Sequence, residues 1–207
     1  MSHKAKAKFV FLALLPYFIF YFLLQTFVVF SHSYNLATQF DISIPFIPEF
    51  VWIYHTIIPV FLLTTIFIIE KKSVFFVALF SSVSAYSLML VFYTFLSAFY
   101  PRDGHMAASL SGALVELTRM IDGANNTFPS GHVTFAWLLV AFIGITNVAK
   151  KYSWIQPLYI IWACLISIST LVLKQHFIVD VISGVTLAAL CYFLAKRFVS
   201  QRMLVTN

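Results

Sequence analysis

Pro129–Val148 reads PSGHVTFAWLLVAFIGITNV. These twenty residues contain no Asp, Glu, Lys or Arg. The apolar positions run on without strict alternation, which argues against a half-buried strand. The length matches the roughly 20 apolar residues that cross a bilayer as a helix. Ser130, Gly131 and His132 stand at its start, so a membrane helix here carries reactive groups at one end.

Five further runs have the same character, at about 9–30, 51–69, 74–99, 153–173 and 177–195. The chain is 61% hydrophobic and 10% charged, against roughly 25% charged residues in a soluble domain. That deficit excludes a water-soluble surface. Continuous runs also disfavour a β-barrel, whose strands alternate. The reading is an all-α integral membrane protein, a six-helix bundle forming one catalytic domain over 1–207. The first run follows Lys4, Lys6 and Lys8 and exceeds the 7–15 residues of a signal-peptide core, so it is expected to stay as a membrane helix. Between the third and fourth runs, Leu110, Leu114, Leu117 and Ile121 recur at helical spacing, which predicts a short interfacial helix.

The net charge of +6 does not mark a nucleic-acid binder, because the basic residues fall in short clusters between apolar runs. They act as topology signals. With a cytoplasmic N-terminus, Lys4, Lys6, Lys8, Lys71, Lys72, Lys150, Lys151, Lys196, Arg197 and Arg202 lie inside. Arg102, Arg119 and Lys174 lie outside. Ten against three places both termini in the cytoplasm and the reactive end of Pro129–Val148 at the exterior. Compact size and short loops fit a bacterial inner membrane. Cys164 and Cys191 sit inside apolar runs and read as small core residues. His32 and His55 read as structural, and His3 as part of a tail.

A second stretch, Lys174-Gln175-His176-Phe177-Ile178-Val179-Asp180, opens the sixth run. Helices four and six both point their N-termini outward. Such ends offer backbone N–H groups and partial positive charge to an anion. Ser130 can cap the helix, and Gly131 lets an anion approach the backbone. His176 and Asp180, spaced i, i+4, share a helix face. A carboxylate on one imidazole nitrogen leaves the other basic, as a nucleophile requires. His132 can then move the proton of the leaving oxygen. Arg102, Lys174 and Arg119 offer positive charge to phosphate oxygens.

Phe128-Pro129-Ser130-Gly131-His132, with Ser169-x6-His176-x3-Asp180, resembles the second and third signature motifs of the type 2 phosphatidic acid phosphatase superfamily. The resemblance implies a metal-independent enzyme without a cofactor. His176 would attack, Asp180 would support it, His132 would be the acid, and Ser130 and Gly131 would hold phosphate oxygens. The family's first motif, K-x6-R-P, is met only by Arg102. Phe95 stands at the Lys position, Asp103 at the Pro, and Thr170 where the third motif carries Arg. These departures resemble the branch containing sphingolipid headgroup transferases.

Two activities follow as expectations. The first is a lipid phosphatase acting on a phosphate monoester or pyrophosphate through a phosphohistidine. The alternative is a lipid headgroup phosphotransferase of the sphingolipid-synthase type, with an acceptor hydroxyl in place of water. The short loops build no evident second polar pocket, which favours hydrolysis. The expected partners are the lipid phosphate and the surrounding membrane lipids. Oligomeric state is not legible.

Overall fold

The computed structural model describes residues 1–27, 34–102, 104 and 108–205, with side chains described to 25 and from 34 to 201 within those bounds. His32 and Asp103 fall outside them. The described chain is helical: α1 (His3–Phe27), α2 (Gln39–Ser43), a 3-10 turn (Pro48–Phe50), α3 (Val51–Tyr54), α4 (Ile57–Leu63), a π segment (Thr64–Ile68), α5 (Lys72–Phe95), α6 (Leu110–Asp122), α7 (Gly131–Ile143), α8 (Asn147–Lys151), α9 (Ile155–Val172) and α10 (Ile178–Val205). No β-strand occurs among the described residues.

Among the described residues, five helical stretches are long and apolar enough to span a membrane: His3–Gln25, Pro48–Ile68, Lys72–Phe95, Ile155–Val172 and Ile178–Gln201. The run at 129–148 is shorter in the structure than expected. Its helix α7 ends at Ile143, with Gly144 as its C-cap. Thr146 then starts α8 by accepting a hydrogen bond from the Ala149 N–H at 3.2 Å. Thirteen residues at 1.5 Å each give about 20 Å, less than the roughly 30 Å hydrocarbon core.

The run at 51–69 is also broken, turning at His55–Thr56 before α4. At its far end the π segment leaves carbonyls unpaired within the helix. The Lys6 ammonium, only 2% exposed, bonds to the carbonyls of Ile66 and Ile69. A lysine near a helix end thereby reaches polar atoms while its stem lies in apolar surroundings.

The main core joins α1, α4, α5, α7, α9 and α10, with Phe75, Leu138, Leu139, Phe142 and Ile166 at its centre. Helices α7 and α10 start side by side, because the Ser130 N–H donates to the Asp180 carbonyl at 3.1 Å. They pack closely at Gly184, one helical turn beyond Asp180. A Cβ there would lie 2.9 Å from the Ser130 carbonyl oxygen and 3.1 Å from Val133 Cβ. The Thr134 hydroxyl, which donates to the Ser130 carbonyl at 2.7 Å, also lies 3.2 Å from the Gly184 carbonyl across this contact. This close contact sets the spacing of the two histidine-bearing ends.

The leucine spacing at 110–121 does form a helix, α6, capped by the Ser109 hydroxyl on the Gly112 N–H. Leu110, Leu117, Met120 and Ile121 are exposed, whereas Val115 is buried. Helix α2 exposes Phe40 and Ile42 in the same way.

Candidate active site

The two histidines meet at one end of the bundle, with ring centroids 6.5 Å apart. His132 is the second residue of α7. Its ring stacks on Tyr54 of α3, centroids 3.9 Å apart at 24°. Packing on a buried phenol ring thus orients the imidazole.

His176 does not sit on a helix as its spacing predicts. Helix α9 ends at Val172, and Lys174 takes a left-handed conformation at φ 56°. The chain then reverses, and α10 begins only at Ile178. His176 is 7% exposed in this link. Its Nδ1 lies 2.9 Å from the Thr127 carbonyl and 3.4 Å from Asp180 Oδ2. A carbonyl can only accept, so Nδ1 carries the proton and Nε2 keeps its lone pair. Thr127, rather than Asp180 alone, therefore selects the tautomer. Asp180 also closes the start of α10, where its Oδ2 accepts the Phe177 N–H at 2.9 Å. This is the carboxylate half of a capping box.

The two helix N-termini are not equivalent. At α7 the Ser130 hydroxyl is fully buried and accepts from the Val133 N–H at 3.5 Å. Ser130 faces the α7–α10 contact, while Gly131 and His132 line the cavity. At α10 the Ile178 N–H is taken by Asp41 Oδ1 at 2.7 Å. Asp41 also closes a capping box with Thr38 on α2. A protein carboxylate thus occupies the α10 end, leaving α7 as the better anion site.

Arg102 lines the cavity and braces its walls. Its Nη1 donates to the Lys174 carbonyl at 3.1 Å and to Gln175 Oε1 at 2.7 Å, and its Nη2 to the Gly123 carbonyl. One guanidinium so ties the α9–α10 link to the α6–α7 loop. Its Nε has no partner among the described residues. Burial lowers the Arg102 pKa from its ordinary value, opposed by the charge of Asp122.

Lys174 and Arg119 lie behind the wall. The Lys174 ammonium sits on the Asp41 carbonyl at 3.0 Å. Arg119 Nη1 pairs with Glu116 at 3.1 Å, and its guanidinium covers the Phe46 ring. Among the described residues, Arg102 is the only Lys or Arg lining the cavity.

The cavity has a volume of about 680 Å³. Its polar end holds His132, His176, Arg102, Gly131 and Gln175. Its other end is apolar and runs along α1 from Phe22 to Ala7, opposite Ile57, Phe61 and Ile66. Fifteen helical steps make that path about 22 Å long.

Several lining residues escape a reading of the sequence. Tyr54, Asp122, Asn125, Asn126, Thr127 and His55 come from separate segments and meet only in the fold. Asp122 Oδ1 accepts the Tyr21 hydroxyl and Oδ2 the Tyr54 hydroxyl, the latter at 3.3 Å. His55, which reads as structural from sequence, places Nε2 2.9 Å from the Thr118 hydroxyl at the cavity wall. This polar wall is built by α1, α3 with the turn after it, α6 and the α6–α7 loop together.

No curated protein and no solved structure matches the chain. The family model of the PAP2 superfamily matches residues 78–204, from within α5 nearly to the end of α10 and including both histidines and Asp180. With its two histidines facing one cavity across the α7–α10 contact, this chain belongs to the PAP2 superfamily.

Proposed function

We propose that the protein is a membrane lipid phosphatase, removing phosphate from a lipid phosphate monoester or pyrophosphate at the outer face. The single observation that carries this reading is the shape of the cavity. Two histidines, a partly buried arginine and the α7 N-terminus line one end, and an apolar path about 22 Å long leads away from them. A molecule with a phosphate at one end and a hydrocarbon tail at the other matches both ends.

The mechanism uses groups already in place. His176 Nε2 attacks phosphorus while the bond to the lipid oxygen breaks. His132 gives its proton to that oxygen. Water then attacks the phosphohistidine, His132 takes the water proton, and the P–N bond breaks. Phosphate leaves and His176 returns to its starting state. Arg102 and the first N–H groups of α7 stabilise the equatorial oxygens. Lys174 and Arg119 add positive potential from behind the wall. Asp180 and the Thr127 carbonyl hold His176 in register. The bias of Lys and Arg toward the opposite loops supports an exterior position for this end of the bundle. Helices α2 and α6 then lay Phe40, Ile42, Leu117 and Met120 in the headgroup layer.

The test is phosphate release by the purified protein from a panel of phosphorylated lipids, without added acceptor. His176→Ala should abolish release while the variant keeps its helical signal in detergent. Undiminished release by that variant would sink the mechanism.

A further inference from the structure

Asp122 stands where two electrostatic effects oppose it. It ends α6, where the helix dipole disfavours an anion. It also lines the cavity read above as holding a phosphate. A residue that runs against its local surroundings inside a site calls for a functional account.

Its contacts lead to His132. The Tyr54 hydroxyl donates to Asp122 Oδ2 at 3.3 Å, and the Tyr54 ring stacks on the His132 ring with centroids 3.9 Å apart. The two histidines are therefore held in different ways. His176 is fixed by a hydrogen bond from Nδ1 to the Thr127 carbonyl, whereas His132 rests on the face of a ring. Ring stacking tolerates a range of offsets, so the imidazole is placed only as well as the phenol against it.

The backbone of Tyr54 does little to place that phenol. Helix α3 is a single turn of four residues, Val51–Tyr54, and the span breaks directly after it at His55–Thr56. The hydroxyl end of the buried side chain is fixed instead by Asp122. Asp122 is secured in turn from α1: its Oδ1 accepts the Tyr21 hydroxyl, and its main-chain carbonyl accepts the Gln25 amide. Support thus runs from α1 through Asp122 and Tyr54 to the imidazole. Tyr21 and Tyr54 both precede the segment that the family model matches, 78–204.

We propose that Asp122 is a positioning residue for His132, acting through Tyr54 to aim the imidazole proton at the leaving oxygen. This rests on the reading of His132 as the acid in the first half of the cycle. The step itself is unchanged. His176 Nε2 bonds to phosphorus, the P–O bond to the lipid breaks, and the His132 proton goes to the departing oxygen. A badly aimed proton costs most where the departing oxygen is most basic.

The experiment uses that dependence. Hexadecyl phosphate and p-hexadecylphenyl phosphate carry the same phosphate and the same length of alkyl chain. The first releases a strongly basic alkoxide oxygen, the second a far less basic phenolate. For each ester kcat/KM is measured on the purified protein, because it reports the steps through departure of the alcohol or phenol. His132→Ala should lose about a hundredfold more on the alkyl ester than on the aryl ester. Tyr54→Phe keeps the ring and removes only its hydroxyl, and Asp122→Ala removes the other partner of that hydrogen bond. Each should lose about tenfold more on the alkyl ester, a part of the acid's full contribution. The double variant should show the same preference as either alone, since both changes remove one contact. A merely structural role would lower both esters evenly. An even fall in Tyr54→Phe or in Asp122→Ala, with His132→Ala still selective, would overturn the route through Tyr54. Preferences that multiply in the double variant would overturn it as well. An even fall in His132→Ala would instead overturn the reading of His132 as the acid.

Discussion

Replacing Gly184 with alanine adds one methyl group at the point where α7 and α10 touch. In an ordinary helix interior this change stabilises by about 0.5–1 kcal/mol, because alanine is less free in the unfolded chain. Here the new Cβ would lie 2.9 Å from the Ser130 carbonyl oxygen and 3.1 Å from Val133 Cβ. The oxygen cannot yield cheaply. It accepts the Thr134 N–H at 3.0 Å and the Thr134 hydroxyl at 2.7 Å, while the Ser130 N–H is held by the Asp180 carbonyl. Overpacking of this kind costs about 1–3 kcal/mol, so the steric cost outweighs the propensity gain. The helices must separate by several tenths of an ångström, carrying His132 away from His176. Misplacement approaching 1 Å lowers turnover by about a hundredfold. Gly131→Ala provides the contrast in stability: its Cβ would meet the flexible Met89 Cε at 3.1 Å, which can move. Thermal melts in detergent and phosphate release from a lipid phosphate test both parts. A Gly184→Ala variant with the melting temperature and turnover of the parent would refute the idea that this contact positions the histidines.

Arg102→Lys should lower turnover and destabilise by about 2 kcal/mol, because an ammonium cannot span the Gly123 carbonyl, the Lys174 carbonyl and Gln175 together. Melting curves and KM against kcat would check it, and a parent-like melt would argue against the brace. Asp41→Ala should lose about 1 kcal/mol or more by uncapping α10 and opening the α2 capping box. Turnover should also fall, since His176 stands two residues before α10; hydrogen exchange at Ile178 would report the loss directly. Turnover should persist in excess chelator, as a nucleophilic His176 Nε2 requires no metal. Loss of activity restored by a divalent cation would contradict that step.

The apolar runs were legible because length and continuity alone mark a membrane helix. Their interruptions were not, since Gly144, Thr146 and the π segment act through local hydrogen bonds that hydropathy does not register. Gly184 stands four residues beyond Asp180, so its spacing alone puts it on the Asp180 face. His132 and His176 stood out through their neighbours, and their approach required the α7–α10 contact to be seen. The role of Thr127 was hidden, because a backbone carbonyl leaves no trace in residue identity. Asp41 and Asp122 were hidden for a related reason. Each is one acidic residue among several in a loop, and only the fold brings Asp41 to α10, over 130 positions away. The lone signal for Asp122 was its position at the end of a helical repeat, beside Asn125 and Asn126.

The measurement that bears most directly on the central claim is capture of the intermediate. The protein is mixed with a lipid radiolabelled at its phosphate, quenched in alkali within one turnover, and digested for mass spectrometry. An acid-labile, alkali-stable phosphoryl group should appear on His176 and be absent from His176→Ala. Steady turnover with no label on any histidine, or with label on a residue other than His176, would contradict it.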